Sequence, residues 1–189
     1  MTEKGISPTV GETRSMDLGT LLADDLIRLA LCAATWEGVL RRLAEDLHAA
    51  GRVHPTYEDA VVARERTFPT GLAVGDIGVA IPHADVEHVR EPAIAIATLS
   101  APVAFGEMGN PGNTVPVRIV FMLAIHQAEA MVGVLQDLVG SFQQPGALAA
   151  ILGARSPGDV RAAFGQALDG GAVPPSGPVA APEDAASRG

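Results

Sequence analysis

Cysteine is nearly absent from this chain, since Cys32 is the only one among 189 residues. A single cysteine excludes a disulfide within the chain and a metal site built from cysteine ligands. Cys32 lies in an apolar stretch. We therefore predict that it is a buried, small hydrophobic side chain.

Positive charge is also scarce. Lysine occurs once, at Lys4, no basic cluster is longer than Arg41-Arg42, and the formal net charge is -9. A nucleic-acid-binding domain normally presents a basic patch, so the sequence indicates that nucleic acid is not a partner. An acidic surface favours solubility and attracts basic protein partners.

Long apolar segments are missing as well. The longest apolar run, residues 119–125, is far shorter than a membrane-spanning helix, and residues 1–15 contain no apolar signal region. We therefore expect a cytoplasmic protein. Aromatic residues make up 4% of the chain and hydrophobic residues 48%, which predicts a core built from Leu, Val, Ile and Ala.

Common catalytic signatures are absent too. The sequence has no phosphate-binding P-loop, no HExxH zinc motif and no Gly-x-Ser-x-Gly elbow, and its glycines at 71, 75 and 78 do not match the dinucleotide fingerprint. These absences disfavour P-loop nucleotide hydrolysis, zinc proteolysis and serine hydrolase chemistry.

The chain divides into three parts by composition. Residues 1–16 show no periodicity and are predicted to form a flexible arm, while residues 169–189 are rich in Pro, Ala and Gly and are predicted to be a disordered tail. One domain, residues 17–168, lies between them.

Apolar patterns in this domain alternate between strands and helices. Strands are predicted at residues 26–31, 79–81, 93–99 and 117–125, and helices at 36–50, 56–66, 131–142, 145–152 and 156–168. Thr35 is a suitable cap for the first helix, Gly51 ends it, and residues 102–114 are predicted to be a loop. This order predicts an α/β fold with one mixed sheet flanked by helices on both faces.

His83 is the first candidate for chemistry. It follows a short predicted strand that Pro82 ends, because proline cannot donate to a strand ladder. An imidazole there would project from the strand end, and near pH 7 its neutral nitrogen is an available nucleophile. On these grounds alone, a merely structural or exposed histidine stays open.

A metal site is the second interpretation of the same segment. His83, Asp85 and His88 are spaced closely enough to be loop ligands, but no distant fourth ligand accompanies them. We therefore predict no metal. The remaining histidines are most simply surface or helix-end residues: His48, His54 and His126.

Arg64 is the second candidate. In the second predicted helix, offsets of three, four and seven place it on the same face as Tyr57, Ala60 and Val61. A guanidinium on an inward face is suited to bind two phosphate oxygens at once. A structural ion pair with an acidic neighbour is the alternative.

Several motifs in fixed order resemble the IIA domain of the fructose and mannitol class of the bacterial phosphotransferase system. They are RER at 64–66, FPTGL at 68–72, VAIPHAD at 79–85 and EPAIA at 91–95. MGNP at 108–111 and IVFMLAI at 119–125 resemble the galactitol branch in particular. The likeness spans about residues 21–164, essentially the whole domain.

The resemblance implies a phosphoryl carrier. It implies that His83 accepts a phosphoryl group from the carrier protein HPr and donates it to a cysteine of a IIB component, with Arg64 beside the phosphate. The membrane component IIC would be an indirect partner, and no metal or cofactor would be needed. A regulatory module, read in its phosphorylated state by another protein without a transport role, is the alternative function.

Two supporting residues and a docking surface complete the expectations. Thr70 and nearby backbone N–H groups are predicted to bind phosphate oxygens. Some family members carry a second histidine near the reactive one; here Met131 occupies that position, and His126 is the nearest imidazole. An exposed apolar patch around His83 is predicted to bind the partners, with contributions from Leu72, Val74 and Ile77.

Overall fold

The structure is a computed structural model that describes residues 17–170, apart from the side chain of Pro111. The predicted arm, residues 1–16, and residues 171–189 of the predicted tail lie outside the described residues. Within residues 17–170, no helix is both long and apolar enough to cross a membrane.

Five strands form one mixed sheet. They are β1 (Leu22–Leu31), β2 (Gly71–Val74), β3 (Ile77–Ala80), β4 (Ala93–Glu107) and β5 (Asn110–Ala124). β4 pairs in parallel with β1 and antiparallel with β5, while β3 pairs in parallel with β5 and antiparallel with β2. β2 also meets the far end of β4 at Gly71 and Glu107. The predicted α/β class with a single mixed sheet is confirmed.

Five helices cover the sheet. They are α1 (Trp36–Ala49), α2 (Tyr57–Thr67), α3 (Ala128–Phe142), α4 (Ala147–Leu152) and α5 (Pro157–Leu168). Thr35 caps α1 by accepting a hydrogen bond from the Gly38 N–H, as its sequence position predicts. Ser156 and Asp159 form a reciprocal capping box at the start of α5. Short 3-10 turns lie at Leu18–Leu21 and Val86–His88.

The inner halves of β4 and β5 are buried on both faces, and each face belongs to a separate core. On one face, Ile94, Ile96 and Phe121 pack with α3, α4 and α5. On the other face, the alanines of β4, such as Ala95 and Ala97, pack with α1 and α2. The small and large side chains that alternate along β4 therefore point to opposite faces of the sheet, the small ones towards α1 and α2 and the large ones towards α3, α4 and α5.

The loop predicted at residues 102–114 is wrong. This segment is the outer half of a long hairpin of β4 and β5, joined at Met108-Gly109, where Gly109 has a φ of 77°. Its prolines and glycines are tolerated because the tip is largely exposed and Pro102 lies where the pairing register shifts between Thr98 and Val103. Only alternate residues of this segment are buried, such as Val103 and Phe105, so it carries no continuous apolar run.

Two smaller predictions also need correction. Cys32 is exposed, not buried, because the chain leaves the sheet when β1 ends at Leu31. The strand β2 was not predicted, because its four residues follow directly on the helix-breaking turn. This strand lies so close to β4 that a Cβ atom at Gly71 would come within 2.6 Å of the Gly106 carbonyl oxygen, so the position requires glycine.

Candidate functional site

His83 lies at the carboxyl end of β3, where Pro82 has ended the ladder. The Pro82 carbonyl accepts a hydrogen bond of 2.9 Å from the Leu123 N–H of β5. The buried hydroxyl of Tyr57, in α2, donates to the Leu123 carbonyl at 2.7 Å. Leu123 therefore ties the segment that contains His83 both to the sheet and to the helix that carries Arg64.

The imidazole of His83 has one engaged nitrogen and one free nitrogen. Its Nδ1 is 3.0 Å from the Ile81 carbonyl oxygen. A carbonyl oxygen only accepts, so Nδ1 carries the proton and Nε2 keeps its lone pair. Burial lowers the pKa of His83, and the nearby Arg64 cation lowers it further, against opposing effects of the Ile81 hydrogen bond and Asp85. The ring is therefore a neutral nucleophile near pH 7.

Arg64 lies in the last turn of α2, with about a third of its side chain exposed. Its Nη1 donates to Asp85 Oδ1 at 3.1 Å, and its Cζ lies 5.7 Å from the centre of the Phe68 ring. Among the described residues, its buried Nε has no hydrogen-bond partner. The guanidinium is therefore held near His83 with donor groups still available to an anion.

Glu65, the residue after Arg64, points into the protein. Its carboxylate accepts hydrogen bonds from the Thr70 N–H at 2.8 Å and from the Thr70 hydroxyl at 2.9 Å. The Thr70 hydroxyl in turn accepts from the Ile81 N–H at 3.2 Å. Burial raises the pKa of Glu65, although the two bonds from Thr70 oppose that effect. From the sequence, Glu65 was expected only as a possible ion-pair partner of Arg64; its buried position was not predicted, because a glutamate between two arginines resembles part of an exposed helix face.

Some of the predicted site residues lie at His83 and others do not. Arg64 and Asp85 lie near His83. Thr70 is close by but buried, and its one hydroxyl proton goes to Glu65. His126 is exposed just after β5, and within residues 17–170 no hydrogen bond or ion pair joins it to His83.

The alternative metal site is not formed. Asp85 pairs with Arg64, and His88 Nδ1 lies 2.9 Å from the Thr56 hydroxyl on another part of the surface. In the described part of the chain, no three His, Cys, Asp or Glu side chains are placed to hold a metal ion. The 3-10 turn at Val86–His88 separates the two histidines, and His88 contacts Thr56 instead of His83.

The predicted apolar patch also differs from the structure. Leu72, Val74 and Ile77 are half-buried against the core that contains α3, α4 and α5. The exposed apolar side chain beside Arg64 is Phe68, of which 63% is exposed. The sequence offered one signal for this, since Phe68 precedes Pro69 in a turn outside any apolar pattern.

A neutral imidazole with a free nitrogen, next to a guanidinium with available donors, can form a bond to phosphorus and offset the charge that arrives with it. Comparison with protein-family models matches residues 20–167 to the EIIA 2 family of the phosphoenolpyruvate-dependent sugar phosphotransferase system. The chain belongs to this family. It is a IIA component, a phosphoryl carrier of a sugar transport system, as its motifs predicted.

Relatives of this IIA component support the same conclusion. The galactitol-specific EIIA component of Escherichia coli strain K12 is 33% identical over 107 residues, which are 57% of this chain and 71% of the relative. The crystal structure of IIA mannitol from Escherichia coli matches with a TM-score of 0.64 at 26% identity, covering 76% of this chain and 98% of that one.

A complex of the Escherichia coli mannitol enzyme IIA with phosphorylated enzyme IIB also matches. Its TM-score is 0.64 at 25% identity, and the alignment covers 76% of this chain and 96% of the solved one. A protein with this fold therefore binds a IIB component.

Proposed function

We propose that Nε2 of His83 carries the phosphoryl group. The nitrogen attacks the phosphorus of a phosphohistidine on HPr, the N–P bond of the donor breaks, and a new N–P bond forms at His83. In the second half, a cysteine thiolate of a IIB component attacks the phosphorus, so that the N–P bond breaks and an S–P bond forms. The carrying observation is the Nδ1 contact with Ile81, which leaves Nε2 unprotonated.

Arg64 is the proposed phosphate ligand. Two or more oxygens of the phosphoryl group carry negative charge, and a guanidinium can donate to two of them in its own plane. Arg64 would exchange the exposed carboxylate of Asp85 for the phosphate, so no buried charge is left without a partner. Catalysis then consists of positioning and charge stabilisation by this chain alone, without a metal or cofactor.

The proposed partners follow from this chemistry and from the relatives. We propose a galactitol-like system in the cytoplasm, with HPr as donor, a IIB component as acceptor and the membrane IIC component reached only through IIB. The sugar itself would not contact this chain. The exposed Phe68 ring beside Arg64 offers an apolar contact for either partner. His126 remains a low-ranking candidate for a second imidazole.

The test is phosphorylation in a defined mixture of phosphoenolpyruvate, enzyme I, HPr and the full-length protein, followed by intact mass measurement. We expect a gain of one phosphoryl group that is lost in acid and retained in base, as for a phosphoramidate. His83→Gln should fold and gain nothing. The four matched controls should still be labelled, namely Gln variants of His48, His54, His88 and His126. Base-labile phosphate, or labelling of His83→Gln, contradicts the proposal.

A further inference from the structure

Three hydrogen bonds, linked through the backbone of Ile81, connect a buried carboxylate to the reactive imidazole. They run from Glu65 to the Thr70 hydroxyl (2.9 Å), from that hydroxyl to the Ile81 N–H (3.2 Å), and from the Ile81 carbonyl to His83 Nδ1 (3.0 Å). We propose that Glu65 and Thr70 are positioning residues that fix the tautomer and the direction of the His83 ring. This inference rests on the proposed role of His83 as phosphoryl acceptor.

Ile81 is the residue through which these hydrogen bonds act. The antiparallel pairing of β2 and β3 ends with Gly71 opposite Ala80, so the Ile81 N–H lies beyond the ladder. The Thr70 hydroxyl supplies its partner in place of a backbone carbonyl. Because Pro82 follows, the ψ angle of Ile81 is also restricted. The hydrogen bond fixes the N–H of Ile81, and Pro82 restricts its ψ angle. Together they determine the direction of the Ile81 carbonyl, which points at His83.

Glu65 determines the direction of the Thr70 hydroxyl. Threonine has a single hydroxyl proton, and the Glu65 carboxylate accepts it. The lone pairs of Thr70 Oγ1 are thereby left to accept from Ile81. Glu65 and Thr70 are both about 4% exposed, so no water replaces either partner freely. Without the carboxylate, the hydroxyl is free to rotate, and the Ile81 N–H loses a defined acceptor.

The consequence at His83 is a choice between two tautomers. When the Ile81 carbonyl accepts from Nδ1, the proton is kept on Nδ1 and the nucleophilic lone pair is kept on Nε2. When that carbonyl turns away, both tautomers become populated and the ring is less constrained. A smaller fraction of molecules then presents an oriented, unprotonated Nε2 to the incoming phosphorus, which slows transfer.

Thr70→Val is the direct test, and the chain provides a close control. Valine keeps the shape of threonine and removes the hydroxyl, while Thr70→Ser keeps the hydroxyl. Thr98 is the matched residue: it is 5% exposed, and its Oγ1 accepts from the Ala30 N–H at 3.0 Å, between β1 and β4. Thr98→Val therefore removes a part-buried hydrogen bond from a backbone N–H to a buried threonine hydroxyl, with no connection to His83.

Two quantities should be measured in each variant. The first is the pair of ¹⁵N chemical shifts of the His83 ring in the unphosphorylated protein, which report the tautomer without any partner. The second is the rate of phosphoryl acceptance from HPr. We expect Thr70→Val to move both shifts towards a tautomer mixture and to slow acceptance by about tenfold or more. Thr70→Ser and Thr98→Val should resemble the unmodified protein in both measurements.

Glu65→Gln is an independent test of the positioning of the His83 ring, and it replaces Thr70→Val if that variant does not fold. Glutamine keeps the volume but replaces one of the two accepting oxygens by a donating NH₂ group, so it cannot keep both hydrogen bonds from Thr70, and we expect the same change in the His83 shifts. Unchanged shifts in a folded variant of either residue, or equal losses of rate in Thr70→Val and Thr98→Val, would overturn the proposal. If the unmodified protein accepted no phosphate, the proposed function would fail. The chemical shifts would still test whether Glu65 and Thr70 position the His83 ring.

Discussion

The two faces of the sheet bury different kinds of side chain. On the face covered by α3, α4 and α5, aromatic rings meet: Phe121 lies 4.9 Å from Phe142 and 5.6 Å from Phe164 between ring centres. On the face covered by α1 and α2, the inner half of β4 contributes alanines next to Val120 and Met122 of β5, and the helix α2 adds Tyr57 and Glu65 with their hydrogen bonds. We call these the aromatic face and the polar face.

The difference shows how a small domain separates stability from chemistry. Small alanine side chains on the polar face leave space for the bulky Tyr57, whose hydroxyl reaches the strand end that supports His83. The aromatic face contributes buried apolar area and no titratable group at the site. Substitutions on the two faces should therefore affect different measurements.

Phe164→Ala should have the largest effect on stability. The ring is fully buried against Phe121, and its loss leaves a cavity, which typically lowers the free energy of unfolding by about 3–5 kcal/mol. We expect denaturant unfolding to show that loss, while the folded fraction accepts phosphate at the normal rate. A slower rate in protein shown to be folded would mean that the two faces are not separate.

Arg64→Ala should have the opposite profile. Removing a charge-stabilising donor typically costs about 100-fold in rate, so we expect acceptance from HPr to slow to that extent. Stability should change little, because the Arg64 side chain is a third exposed and its ion-pair partner Asp85 is 75% exposed. Arg64→Lys should recover only part of the rate, since an ammonium cannot bind two oxygens in a fixed plane.

Arg66 is the control for this substitution. It belongs to the same helix end, is exposed, and lies near Glu37 and the Trp36 ring instead of His83. Arg66→Ala should leave transfer unchanged. If Arg64→Ala unfolded the protein, the structural ion-pair interpretation of Arg64 would be the correct one, and normal transfer by a folded Arg64→Ala protein would exclude its role at the phosphate.

Asp85→Asn should have the smallest effect and the opposite sign. Asp85 occupies the guanidinium that the phosphate is proposed to bind, so its neutralisation should speed acceptance by about two- to fivefold, as expected for one exposed ion pair. Glu87→Gln, an exposed carboxylate in the next turn, is the control and should leave the rate unchanged.

The same variant predicts a pH shift. Burial, more than any charge, holds the pKa of His83 below its usual value of about 6.5, so acceptance should persist as the pH falls through that value. The Asp85 carboxylate raises this pKa, so its removal should move the fall in rate to still lower pH. Rates measured between about pH 5 and 8 check both statements, and a fall that begins above pH 6.5 contradicts them.

The sequence predicted those features in which buried side chains recur at the spacing of a helix or a strand. Arg64 was located because helical spacing placed it with Tyr57 and Val61, and His83 because Pro82 must end a strand. The sheet was predicted from apolar runs for the same reason. These features depend on local chemistry, and the structure places both side chains at one end of the sheet.

Features that leave no continuous pattern of apolar residues were not predicted. Glu65 is charged and lies between two arginines, and only the return of the chain at Thr70 shows that it points inward. The outer half of the β4 and β5 hairpin buries only alternate residues, such as Val103 and Phe105, and its glycines and prolines resemble those of a loop.

The hydrogen bonds of the site also differ in the number of residues between the two partners. Glu65 to Thr70 spans 5 residues, Thr70 to Ile81 spans 11, and Arg64 to Asp85 spans 21, whereas Tyr57 reaches Leu123 across 66. Short loops cost little closure entropy, so the site's own contacts can form early. Leu123 is the last of these residues to be synthesised. We therefore expect the contacts among Arg64, Glu65, Thr70, Ile81 and Asp85 to be able to close before β5 is complete, whereas the contact from Tyr57 to Leu123 must wait for it.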